Sequence, residues 1–87
     1  MKLNAAGNVV VPAYLSLLAK GYAVSCEHFS DGSENWSAVG PMGHFGAHDV
    51  IMLLGVVGVA ETRGLSWQAS DSEIDAFFEK FGDPNAE

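Results

Sequence analysis

The stretch from Tyr22 to Val39, YAVSCEHFSDGSENWSAV, decides the fold class. Tyr22, Val24, Cys26 and His28 alternate with Ala23, Ser25, Glu27 and Phe29, the period of a strand. Ser30-Asp31-Gly32-Ser33 is a turn signal, and Asn35 to Val39 resumes an extended chain. The segment therefore reads as a β-hairpin, with two competing registers. A two-residue loop, Asp31-Gly32, sets Ser30 opposite Ser33. A three-residue loop, Asp31 to Ser33, sets Ser30 opposite Glu34, His28 opposite Trp36 and Cys26 opposite Ala38. The second gathers the apolar residues on one face. A buried face fixes register, so this one is expected.

Helical signals flank the hairpin. Upstream, Asn8 to Val11 is a short strand or an extended lead-in, and Pro12 suits the first turn of a helix. Tyr14, Leu15, Leu17 and Leu18 supply an apolar face, and Gly21 ends a helix over 12–20. Downstream, Gly40 to Gly46 reads as a loop from which Met42 and Phe45 dip into the core. The run VIMLLGVVGVA, 50–60, has the valine content of a buried strand but the length of a helix. His48 or Asp49 can cap it and Gly64 can close it after Arg63. Gly55 and Gly58 each cost a helix about 1 kcal/mol relative to alanine. They are expected where another backbone approaches closely.

The best-marked helix is SDSEIDAFFEKFG, 70–82. Ser70 and Glu73 have the spacing of a capping box. Ile74, Phe77, Phe78 and Phe81 recur at i, i+3, i+4 and i+7, one stripe read as core. Gly82 suits the left-handed closing position, and Pro84 forbids continuation. Asp71, Asp75 and Glu79 form an acidic row read as lying opposite the stripe. The order is helix, hairpin, helix, helix. A lone hairpin is marginal and must pack on helices. The fold class is α+β: a short N-terminal helix, an antiparallel β-hairpin, and two C-terminal helices packed on the hairpin. One compact domain covers 1–82, and 83–87 form a flexible acidic tail.

Composition narrows the function. Four Lys and Arg stand against eleven Asp and Glu, a net charge of −7. Lys2, Lys20, Arg63 and Lys80 are scattered, whereas phosphate-backbone binding needs them clustered. Nucleic acid and anionic membrane surfaces are not expected partners; a protein with a basic surface is. Charged residues make up only 17% of the chain, so apolar surface is left for a partner or a second copy. Cys26 is the only cysteine, which excludes an internal disulfide. Pro12 interrupts the apolar N-terminal run, which does not read as a signal peptide, and a cytoplasmic location is expected.

Three sets of residues carry chemistry. Cys26, His28, His44 and His48 offer four nitrogen and sulfur donors suited to a tetrahedral metal. The spacing is not a standard zinc pattern, and Gly43 and Gly46 oppose the regular helix that would join the two later histidines. Nucleophilic catalysis by Cys26 needs a lowered thiol pKa and a pocket, which a strand in a small core does not supply. Phosphate-binding glycine loops are absent, so neither a catalytic residue nor a cofactor is assigned. The acidic row Asp71, Asp75 and Glu79 is the leading partner-binding set. Trp67 is its anchor, and Glu27, Asp31 and Glu34 extend it at the hairpin.

In size and acidity the chain resembles the small inhibitor proteins of bacteria and phages: immunity proteins, antitoxins and anti-CRISPR proteins. The likeness is one of composition and carries no residue across. It implies a non-enzymatic module that occupies a basic surface on its partner. The alternatives are a small homodimer with a metal or ligand site near His44 and His48, and a structural accessory subunit.

Overall fold

The computed structural model describes residues 1–4 and 7–82. After a 3-10 turn at Gly7–Val9 come α1 (Val10–Ala19), β1 (Ala23–His28), β2 (Glu34–Gly40), β3 (Gly43–Ala47) and α2 (Val50–Arg63). A second 3-10 turn, Gly64–Ser66, leads to α3 (Asp71–Phe81). The α+β class holds. The acidic tail expected at 83–87 lies outside the described residues, as does Pro84.

The sheet has three antiparallel strands in the order β1-β2-β3, so the segment read as a glycine loop is largely β3. Gly43, at φ +136°, follows a tight turn through Pro41 and Met42. Phe45 then pairs with Ala38 and turns towards the core, while Met42 stays half exposed.

The hairpin register is neither of the two expected. Cys26 faces Trp36 and His28 faces Glu34. The Phe29 amide donates to the Ser33 carbonyl at 2.9 Å and the Gly32 amide to the Phe29 carbonyl at 3.0 Å, so the loop is Ser30-Asp31-Gly32. Gly32 sits at φ +89°, the positive-φ residue that ends a three-residue hairpin loop. Asp31 Oδ1 accepts from the Ser33 amide at 2.9 Å and its hydroxyl at 2.6 Å, which stiffens the turn. The slip from the expected pairing is two residues, an even number. Tyr22, Val24, Cys26, Trp36 and Ala38 therefore keep a common face.

Helices α1 and α2 cover that face. The core is Ala13 and Leu17 from α1, Tyr22 and Ala38 from the sheet, and Val50, Leu53 and Val57 from α2. Val50, Leu53 and Val57 recur at helical spacing, which settles 50–60 as helix. Asp49 caps it, its Oδ1 accepting from the Met52 amide at 2.7 Å, and Gly64 closes it at φ +62°. No close approach explains Gly55 and Gly58, since a Cβ at either would meet open space. The intimate glycine is Gly40, where a Cβ would stand 2.5 Å from the Tyr22 ring.

Helix α3 departs from expectation. Its capping box is formed: the Glu73 amide donates to Ser70 Oγ at 3.2 Å, and the Ser70 amide to Glu73 Oε1 at 2.8 Å. Gly82 closes it at φ +83°. Yet Ile74, Phe77, Phe78 and Phe81 are not core. No residue of α3 is buried; Phe77 is 53% exposed and Phe81 67%. Within the stripe Phe77 meets Phe78 edge-to-face at a centroid distance of 5.7 Å and lies tilted against Phe81 at 5.1 Å. The radius of gyration, 15.2 Å, exceeds the roughly 12 Å of a compact chain of this length.

Candidate functional site

The exposed surface of α3 and the segment before it form the most distinctive site. Arg63, in the last turn of α2, positions the join. Its Nε donates to the Trp67 carbonyl at 3.1 Å, and its Nη2 lies 3.4 Å from both the Gln68 carbonyl and Glu73 Oε1. One guanidinium thus ties α2, the linking segment and the first turn of α3. Reading by motif missed Arg63. The signal was there, a lone cation at a helix C-terminus close before a capping glutamate.

Asp71, Asp75 and Glu79 are all exposed, and the regular helix places them on one side. At about 100° per residue they lie beside the Ile74-Phe77-Phe81 stripe instead of opposite it. Acidic edge and apolar stripe therefore form one continuous surface. Trp67 is 55% exposed and, with Phe45, Val56, Val59 and Ala60, lines an apolar groove of about 390 Å³. The aromatic residues expected in the core, Phe77 and Phe81, are instead part of this exposed surface.

The hairpin acids are arranged differently. Asp31 is committed to the Ser33 turn, whose hydroxyl chiefly holds its carboxyl below the usual range. Glu34 Oε1 accepts from Trp36 Nε1 at 3.1 Å, and Oε2 lies 3.0 Å from His28 Nδ1. Glu27 is exposed, and alternation along β1 points it away from the helix-covered face. These three do not extend the α3 surface as one patch.

Of the four donors grouped from sequence, only Cys26 and His28 come together, with Sγ and Nε2 3.7 Å apart. Their third neighbour is Glu34, the three donor atoms lying within 4.8 Å of one another. His44 lies in β3 opposite Val39, on the face away from Phe45 and the core. His48 follows the end of β3. The extended backbone around His44 removes the helical condition on which the His44–His48 pairing depended. Cys26 is not set up as a nucleophile. Burial pushes its thiol up, and the carboxylates of Glu34 and then Glu27 push it further.

No family model, curated protein or solved structure matches this chain. Function is accordingly argued from the surfaces themselves. Among the described residues, no helix is long and apolar enough to cross a membrane.

The cap of α3 gives its order a pH dependence. The Ser70 amide, then its hydroxyl and then Arg63, hold the Glu73 carboxyl below its ordinary value of 4.5. A lowered folded pKa means the stabilisation is complete above pH 4.5 and is lost as pH falls through the folded value. The Cα chemical shifts of 71–81 are expected to move towards coil in that acid range. Glu73→Gln should remove most of the transition; an identical acid transition in that variant would show that Glu73 is not its source.

Proposed function

We propose that this chain is a non-enzymatic, cytoplasmic protein-binding module, an inhibitor in type, whose recognition element is α3. What supports the reading is the exposure of Phe77 and Phe81 on a helix that is well capped yet buries nothing. An isolated helix of this length is marginal in water, and covering its apolar face is the usual source of stability. Ile74, Phe77 and Phe81 have the spacing of a helix laid into a groove. Asp71, Asp75 and Glu79 beside them favour a groove rimmed by Lys and Arg. Binding of this kind blocks a basic surface by occupying it and needs no catalytic group.

The test requires the partner, identified by affinity capture from the native host and then purified. Phe77→Ser with Phe81→Ser is expected to weaken binding on the order of 30-fold or more, the loss of one strong hot spot. Asp75→Lys with Glu79→Lys should chiefly slow association and reduce its salt dependence. Because these side chains are exposed, core stability should stay within about 0.5 kcal/mol of the parent. Unchanged affinity in the double serine variant would remove α3 from the interface.

A homodimer is the second reading, favoured by one observation. Val11, Leu15 and Leu18 form an exposed stripe on α1, opposite its buried Ala13 and Leu17. Light scattering separates the readings, since a monomer has a mass of 9.2 kDa.

A further inference from the structure

We propose that Cys26, His28 and Glu34 form a zinc-binding site at the hairpin end of the sheet. The ligands would be Cys26 Sγ, a ring nitrogen of His28 and a carboxylate oxygen of Glu34. This stands apart from the α3 surface and does not depend on it.

The backbone makes the juxtaposition. Cys26 and His28 are two apart on β1 and share a face, and Glu34 stands directly across from His28. The Phe29–Ser33 bond fixes the alternation, so His28 and Glu34 occupy a non-hydrogen-bonded pair, where facing side chains come closest. Gly32 and the Asp31–Ser33 bonds hold the turn that sets this register. The donors thus sit on paired strands beside a stiff turn.

Distances match the chemistry. Two ligands on a tetrahedral zinc, one sulfur and one nitrogen, stand about 3.6 Å apart. Cys26 Sγ and His28 Nε2 are 3.7 Å apart. Glu34 Oε2 already reaches His28 Nδ1 at 3.0 Å, and all three donor atoms fit within 4.8 Å. Cys26 meets the His28 ring at Nε2 and Glu34 meets it at Nδ1, so one ion would take a single ring nitrogen and the remaining side chain would turn towards it. Trp36 Nε1 donates to Glu34 Oε1 at 3.1 Å and orients the carboxylate so that Oε2 faces the His28 ring, the outer-shell support that metal sites use.

Thiolate, imidazole and carboxylate together suit zinc; magnesium and calcium take oxygen ligands alone. On binding, the sulfur–zinc bond forms and the thiol proton leaves to solvent, with no change of oxidation state. The Glu34 charge attracts a cation. Three protein ligands leave a coordination position for water.

The test uses the whole chain. Zinc is titrated against a chromophoric chelator, and cobalt(II) replaces zinc for spectroscopy. One equivalent of zinc is expected, with a sulfur-to-cobalt charge-transfer band and the intense visible bands of tetrahedral cobalt. Cys26→Ser should abolish the charge-transfer band. Cys26→Ser, His28→Ala and Glu34→Gln should each weaken zinc binding at least tenfold, while His44→Ala with His48→Ala leaves it unchanged. Circular dichroism of each variant confirms the fold. Absence of the charge-transfer band in the parent chain, failure to take up one equivalent, or binding as tight as the parent's in folded Cys26→Ser, His28→Ala or Glu34→Gln would overturn the site.

Discussion

Leu53→Ala is expected to cost about 2–5 kcal/mol, enough to bring this domain to the edge of unfolding. Leu53 is 0% exposed in the first turn of α2, between Val50 and Val57 on the buried face. Among the described residues the core it joins has seven buried members, so few neighbours are available to collapse into the space left behind. A chain of 87 residues has a total stability on the order of 4–13 kcal/mol, and a loss of this size takes a large share of it. Urea unfolding followed by tryptophan fluorescence in a Trp67→Phe background, which leaves Trp36 half-buried against the core as the reporter, reads the change in midpoint. A loss under about 1 kcal/mol would mean that α2 does not carry the core.

Gly40→Ala is the second large effect, and its cause is crowding instead of a cavity. A Cβ at Gly40 would stand 2.5 and 2.8 Å from Tyr22 Cδ1 and Cγ, and 2.9 Å from the Gly21 carbonyl oxygen. Neither obstacle is a loose chain end. The Tyr22 ring is 3% exposed and packed edge-on against Phe45 at 6.1 Å, and the Gly21 oxygen is backbone. Relief requires the end of β2 or the entry to β1 to shift, at a cost of about 1–3 kcal/mol. Gly55→Ala provides the contrast: it meets nothing within 4 Å and gains helix propensity, so it should be neutral or stabilising by up to about 1 kcal/mol. Equal destabilisation by the two alanines would contradict the packing at Gly40.

These contrasts show which parts of the molecule were legible from residues alone. The capping box of Ser70 and Glu73, the Asp49 cap and the closing glycines Gly64 and Gly82 were readable because each is a contact within a few residues. Strand alternation was readable from Tyr22 to His28 for the same reason. β3 was missed because GHFGA carries two glycines in five residues and pairs only once β2 is in place. The hairpin slipped by two because the faces are identical at both pairings, leaving the choice to the positive φ of Gly32. Glu34 joined the Cys26–His28 pair only through that slip: the expected register placed Trp36 across from His28.

By itself, the sequence determined the ends of α2 and α3, the turn, the period of the hairpin and the excess of acid, all of which follow from near neighbours or composition; it misplaced the start of α1, where 8–11, read as extended, is a 3-10 turn running into the helix. Which apolar stripe became core was decided by tertiary structure alone. Val50-Leu53-Val57 and Ile74-Phe77-Phe81 carry the same periodic signal, and each says only that a face is favoured to leave water. The first meets α1 and the sheet and is buried; the second meets no such surface among the described residues. Periodicity names a face, but what covers it depends on where distant segments are placed, and that is why the α3 stripe, expected in the core, is exposed.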